Sequence, residues 1–176
     1  MNIWFISKYA SPPLYAKASS RLFYLAKEMQ KLGNDVRLIT SDANHFTSIP
    51  NTDNIYNYEC QERVDITWIK TKKYKKTASI DRILSWLDFE WKLFRMPLKT
   101  MIKPDVVIVS SLSIFTILYG YFLKKRFKIF LVFEIKQSNQ YCFLPIVTCF
   151  SYEFNGIVLF SRIYIFKQNL YNTFAS

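Results

Sequence analysis

Glycine is scarce in this chain. Three glycines in 176 residues leave neither a Walker-type phosphate loop nor a Gly-x-Gly-x-x-Gly fingerprint, which disfavours nucleotide-triphosphate and dinucleotide binding of the usual kind. His45 is the only histidine, so paired-histidine metal motifs are absent, and there is no Gly-x-Ser-x-Gly elbow. The three cysteines, Cys60, Cys142 and Cys149, are widely spaced with no histidine cluster beside them. Neither a disulfide framework nor a zinc site is expected, no metal is assigned, and a reducing cytoplasm is the plain reading. No basic segment precedes the first apolar run, which is only four residues long before Ser7 and Lys8, so a signal peptide is not expected. Acidic charge is also short: 13 Asp and Glu against 24 Lys and Arg give a formal net charge of +11 and a pI near 9.6. That balance favours acidic partners, whether nucleic acid, an anionic membrane surface or a phosphorylated substrate. The length suits one ordinary domain with a sizeable core rather than the two lobes of a large enzyme.

What is present begins with a β-loop-α-β pattern. Ile3 to Ile6 is a continuous apolar run, as a buried strand requires. A proline-marked loop from Ser11 to Tyr15 leads to a helical pattern from Ser19 to Leu32, capped by Ser19 or Ser20 and stopped at Gly33, with Leu22, Leu25, Ala26 and Met29 on one face. Val36 to Thr40 is the second strand and Ser41 to His45 the loop at its carboxyl end. Two loops thus meet at one sheet edge, where helix starts present unpaired N–H groups and open α/β sheets bind ligands.

Phe46 to Gln61 shows no apolar period and reads as a mobile surface segment. Val64, Ile66 and Trp68 alternate with Asp65 and Thr67 as a half-exposed strand. Ser79 caps a long helix in which Ile80, Ile83, Leu84, Leu87, Trp91 and Phe94 form one apolar stripe, flanked by Trp86, Phe89 and Leu93; Pro97 ends or kinks it. Val106 to Val109 is another buried strand, a helix runs from about Ser113 to Lys125, and Phe130 to Ile135 is the next strand. The order predicts a Rossmann-like α/β fold, a parallel sheet flanked by helices and joined by right-handed crossovers. Val106 to Leu123 carries no charge over 18 residues, so a transmembrane helix competes with that reading. The β-branched run, the double serine and the 3.6-residue period after it favour strand, turn and buried helix.

Few residues can carry chemistry. Asn44 and His45 sit at a strand end on the ligand edge, where hydrogen-bonding or acid–base work is open to them, as is the role of ordinary surface residues. Arg21 lies in the first helical turn beside the proline loop and suits a phosphate or carboxylate clamp, or solvent. Glu134 is a carboxylate in an otherwise apolar strand, near its carboxyl end; burial without partners is costly, which favours function there. Lys70, Lys72, Lys73, Lys75 and Lys76 form a cluster followed by Trp86, Phe89 and Trp91 on an amphipathic helix. That combination suits contact with an anionic membrane surface, and a solvated turn plus core packing explains it equally well.

Several segments, in order, resemble the N-terminal domain of bacterial family 4 glycosyltransferases, closest to the O-antigen and capsular-polysaccharide, fucosamine-transferase-like subgroup. They are Ser7 to Pro12, Ser20 to Glu28, Asp35 to Ser41, Asn44-His45, Trp68 to Thr71, Lys73-Tyr74, Arg82 to Ser85, Lys103 to Ser111 and Val132 to Ile135. The resemblance covers about residues 1 to 135 and lies in the ordered series rather than in one motif. It implies the N-terminal half of a two-lobed GT-B fold, an acceptor-side lobe whose partner lobe grips a nucleotide-sugar co-substrate. It also implies retention of anomeric configuration, no essential metal, no bound cofactor, and a polyprenyl-diphosphate-linked acceptor met at the inner membrane face from the cytoplasm. Within that frame Tyr15, Arg21, Asn44, His45 and Glu134 are the expected acceptor or cleft contacts. Ala16-Lys17-Ala18 stand where the family is rich in glycine, Lys136 to Gln140 replace its Arg-Asp-x-Trp-Pro pattern, and the C-terminal lobe has no counterpart here.

From Lys136 to Ser176 the composition changes: few charges, two of the three cysteines, and aromatics without a period. The expectation is a domain over 1–135 and a divergent, irregular hydrophobic tail over 136–176 that arose from a frame shift near Lys136; a genuine tail that packs or touches membrane is the competing reading. A truncated chain would be inactive alone and would need a separately encoded C-terminal lobe. The alternative of a different class is a non-catalytic basic membrane-associated protein. Nucleic acid is not expected as a partner, since no nucleic-acid module is recognisable.

Overall fold

The computed structural model describes residues 1–15, 21–43, 52–74, 79–110, 114–134 and 157–160. Its strands are β1 (Asn2–Ile6), β2 (Asp35–Ser41), β3 (Tyr56–Gln61), β4 (Val64–Ile69), β5 (Val106–Ser110), β6 (Phe130–Glu134) and β7 (Ile157–Phe160), and its helices α1 (Arg21–Lys31), α2 (Ile80–Phe94) and α3 (Ile114–Phe127). They form one sheet in the order β3-β4-β2-β1-β5-β6-β7, in which β3 runs antiparallel to β4 and every other pairing is parallel. The chain builds outward from β1 to β2 and β4, then returns through α2 to β5 on the opposite side of β1. The carboxyl ends of β1 and β5 therefore flank the point where the winding reverses, the place where open α/β sheets have a crevice.

Burial on both faces explains the continuous apolar runs. Ile3 and Phe5 of β1 pack with Leu22, Phe23, Ala26 and Met29 of α1, while Trp4 and Ile6 join Phe89 and Leu93 of α2 and Tyr119 and Leu123 of α3. The molecule thus has three layers, with α1 on one face of the sheet and α2 and α3 side by side on the other. Gly33 stops α1 at φ 83°, a conformation that favours glycine. Gly120 has a different duty: a Cβ there would come within 2.8 Å of Val109 Cγ2 and 2.9 Å of Leu131 Cδ1, so its bare backbone lets α3 lie close on the sheet.

The structure decides four sequence expectations. The segment read as irregular through Gln61 contains β3, hairpinned to β4 through Glu62 and Arg63, both at positive φ; no Asn-Gly pair advertises this turn. On β4 only Asp65 is exposed and Thr67 is fully buried, because β4 lies between two strands rather than at an edge. The uncharged stretch after Lys103 is strand then helix, and among the described residues no helix is long and apolar enough to cross a membrane. The fourth concerns α2. Ser79 does cap it, accepting from Arg82 N, and it ends before Pro97 as expected, but the stripe of Ile80, Ile83, Leu84, Leu87, Trp91 and Phe94 faces outward. The buried side is Ser85, Phe89, Glu90 and Leu93. Two polar residues belong inside because each has a partner: Ser85 accepts from Lys8 and Glu90 from Thr116. The expected cap of α1 at Ser19 or Ser20, the start of α3 at Ser113 and most of the expected tail lie outside the described residues; of the tail, Ile157–Phe160 pairs with β6 as β7.

Candidate functional site

The site is assembled at the carboxyl ends of β1, β5 and β6 and the first turn of α1. Parallel pairing sets Ser110, the last residue of β5, opposite Glu134, the last of β6. Arg21, the first residue of α1, reaches across and donates to Glu134 Oε1 from Nε at 3.1 Å and from a terminal nitrogen. The pair is asymmetric: the Arg21 side chain is 55% exposed and that of Glu134 only 7%. Both N–H groups converge on Oε1, so Oε2 of Glu134 is buried without a hydrogen-bond partner among the described residues, as is Oγ of Ser110. A carboxylate oxygen can only accept, and a buried acceptor without a donor is costly. A ligand hydroxyl or N–H would satisfy these oxygens, with the exposed guanidinium at the entrance.

Beside it, across β1, lies a second polar group absent from the sequence reading. Lys8 lies two residues past the end of β1 and is buried, 5% exposed. Its ammonium donates to Ser85 O at 3.1 Å, Ser85 Oγ at 2.9 Å and Ser41 Oγ at 3.4 Å, and it lies 5.5 Å from the centre of the Phe89 ring. Burial disfavours the charged form and pulls its pKa down to about 8, against the attraction of Asp42, Asp88 and Glu90. Asp42 in turn accepts from Thr71 N at 2.7 Å and Thr52 Oγ1 at 2.6 Å, tying the ends of β2 and β4 together. This network fixes the loops after β1 and β2 against α2. The one sequence signal for it was a lysine placed two residues past a buried strand.

The other expected residues disperse. Tyr15 donates to Glu59 Oε1 at 3.2 Å and stands edge-on to Trp68, 5.5 Å between ring centres, with Trp68 Nε1 bonded to the other Glu59 oxygen. Desolvation, then Glu59, raises its pKa. Glu59 belongs to β3 and Glu134 to β6, with four strands between them, so Tyr15 does not join the Arg21–Glu134 pair. Asn44, His45, Lys75 and Lys76 lie outside the described residues. Lys70 donates to Asp53 O at 3.2 Å, Lys72 pairs with Asp81 at 2.8 Å and Lys73 is exposed. Trp86 is half-buried, donating to the Tyr9 hydroxyl beneath Arg82. Among the described residues, no group of three His, Cys, Asp or Glu is arranged to hold a metal ion.

No family model and no curated protein matches the chain. Solved structures do. The catalytic domain of starch synthase IV from Arabidopsis thaliana, bound to ADP and acarbose, shares 13% identity over 77% of this chain and 34% of that one, with a TM-score of 0.50. The Escherichia coli trehalose-phosphate synthase bound with UDP-2-fluoro glucose gives 10% identity over 76% and 32%, TM-score 0.48, and the C-terminal domain of the PF1911 hydrogenase from Pyrococcus furiosus 14% over 77% and 90%, TM-score 0.46. The chain spans about a third of the length of the starch synthase domain. At 13% identity the likeness to the starch synthase domain is one of fold: a mostly parallel, helix-flanked Rossmann-like sheet.

Proposed function

We propose that this lobe is the acceptor side of a glycosyltransferase, moving a sugar from a nucleotide-sugar to a polyprenyl-diphosphate-linked oligosaccharide in surface-polysaccharide synthesis, and that transfer needs a donor-binding lobe beside it. The observation that carries the reading is the buried pair of oxygens without partners among the described residues, Glu134 Oε2 and Ser110 Oγ, at the reversal point of a GT-B-type sheet with Arg21 at the entrance. Sugar hydroxyls are the donors such oxygens lack, and an orienting carboxylate is what an acceptor alcohol needs. In the transfer, the bond from the anomeric carbon to the diphosphate oxygen breaks, the acceptor hydroxyl oxygen bonds to that carbon, and the hydroxyl proton is lost. Negative charge grows on the leaving diphosphate, and donors aimed at it are the main source of rate. In this reading those donors belong to the second lobe, while Arg21, Ser110 and Glu134 position the acceptor. The exposed guanidinium and the basic net charge of +11 also suit a diphosphate-linked acceptor.

The test is transfer of radiolabelled sugar to extracted lipid-linked oligosaccharide, with the chain alone and with a C-terminal lobe of GT-B type supplied in trans. Transfer is expected only with both, reduced at least tenfold by Glu134→Gln with the acceptor KM raised. Absence of transfer with every nucleotide-sugar, together with no acceptor binding by NMR titration, overturns the reading.

A further inference from the structure

The outward face of the α2–α3 layer has no explanation in packing among the described residues. On α2 the residues Ile83, Leu87, Trp91 and Phe94 fall three or four apart along one side and are 53%, 47%, 62% and 43% exposed; on α3, Phe115 and Leu118 are 51% and 52% exposed. Phe94 links the two rows, lying 5.0 Å from Tyr119 and 6.2 Å from Phe122 between ring centres. A contiguous apolar surface formed by two whole helices is uncommon on a free monomer and marks a contact face.

Its charges say what it contacts. Cations stand over the exposed rings: Arg95 is 4.9 Å from the Trp91 ring, Lys125 5.0 Å from Tyr121 and Arg126 5.9 Å from Phe122. The last turn of α3 is Lys124-Lys125-Arg126. The carboxylates of α2 are already engaged: Asp81 with Lys72, Asp88 with Lys92, and buried Glu90 with Thr116. Positive charge at the rim of an apolar face is therefore not offset from within the layer. A second copy meeting this face about a two-fold axis would bring the same cations against each other. A bilayer with anionic headgroups accepts both parts: aromatic and aliphatic side chains enter the acyl boundary while Arg and Lys stay at the phosphates.

We propose that the α2–α3 face is a docking surface for anionic lipid bilayer, with the two helices lying in the plane of the interface. This moves membrane contact away from the lysine cluster at 70–76, where Lys72 is paired and Trp86 turns toward Tyr9, to the apolar stripe of α2, whose Trp91 the sequence left open between membrane and core. It does not rest on the sugar-transfer reading, and its test uses neither donor nor acceptor.

The experiment is cosedimentation of the full chain with vesicles of phosphatidylcholine alone or with 30% phosphatidylglycerol, a composition about as acidic as a bacterial inner leaflet, and tryptophan quenching by brominated acyl chains. Binding is expected to the anionic vesicles only, falling at least tenfold in Leu87→Ser/Trp91→Ser and in Arg95→Glu/Lys125→Glu. Quenching should shrink in Trp91→Phe. All four side chains are exposed, so circular dichroism and urea midpoints should match the parent. Wild-type affinity in both double variants, or equal binding to neutral vesicles, overturns the proposal. So does a dimer that Trp91→Glu dissociates in a chain that ignores vesicles, which would assign the face to a second copy.

Discussion

Lys8 makes the stability of this protein depend on pH in a direction opposite to that of most lysines. In the fold its pKa is about 8, against 10.5 for the ordinary side chain, because the ammonium is buried among neutral oxygens and the Phe89 ring. Below pH 8 both folded and unfolded chains hold the proton, and the folded state bears the whole desolvation cost, about 3 kcal/mol from the gap between the two values. Between pH 8 and 10.5 the folded chain has released the proton while the unfolded chain keeps it, so the unfolded state binds more protons and stability rises with pH. The gain from pH 8 to pH 10 is about 2 kcal/mol. Above pH 10 the window closes, because Tyr15, Tyr56, Tyr74 and Tyr119 all have raised pKa values, so the unfolded chain loses their protons first and stability falls.

The perturbation is Lys8→Met, which keeps the length of the stem and removes the titrating group. Urea unfolding followed by tryptophan fluorescence at half-unit steps from pH 7 to 10 gives the free energy at each pH. The tyrosines act alike in both proteins, so the stability of the parent relative to Lys8→Met should climb by about 2 kcal/mol between pH 8 and 10. The slope of that difference, not its value at pH 7, is the test, since the substitution also leaves Ser85 and Ser41 without that donor. A difference that stays constant with pH refutes the claim that Lys8 is buried as an ammonium among neutral partners.

Three further outcomes follow from the same geometry. Glu62→Asn with Arg63→Gly suits the positive φ of the β3–β4 turn and should raise stability by about 1 kcal/mol in urea melts, since the Lys27–Glu62 ion pair it removes lies at the surface. Gly120→Ala should lower it by about 1 kcal/mol despite the better helix propensity, because Val109 is stiff and cannot clear the new Cβ; a raised melting temperature would show that α3 can lift off the sheet. Ser79→Ala should cost about 1 kcal/mol through the lost cap on α2, recovered by Ser79→Asp, with hydrogen exchange of the Arg82 amide as the local readout.

Where a residue's neighbours in sequence are also its neighbours in space, the fold was legible. Ile3 to Ile6, Val106 to Val109 and Leu131 to Phe133 are apolar because both faces of those strands are covered, and that shows in a run of residue types without knowledge of what covers them. Arg21 and Glu134 were each legible as charges out of place, but not as a pair, since 113 residues separate them and only parallel alignment of β5 with β6 brings them together. Lys8 escaped for a related reason: a lysine is read as solvated unless its three acceptors are known, and they come from β2 and α2. The α2 stripe shows the deeper limit. An apolar moment points toward the least polar surroundings a helix will meet, and in a chain read alone those surroundings are taken to be its own core. Ser85 and Glu90 can face the sheet because Lys8 and Thr116 wait there, and once they do, the larger apolar side must turn outward. The period of α2 was therefore readable while its direction was not, and the direction is what makes the α2–α3 layer a contact face instead of a filling for the core.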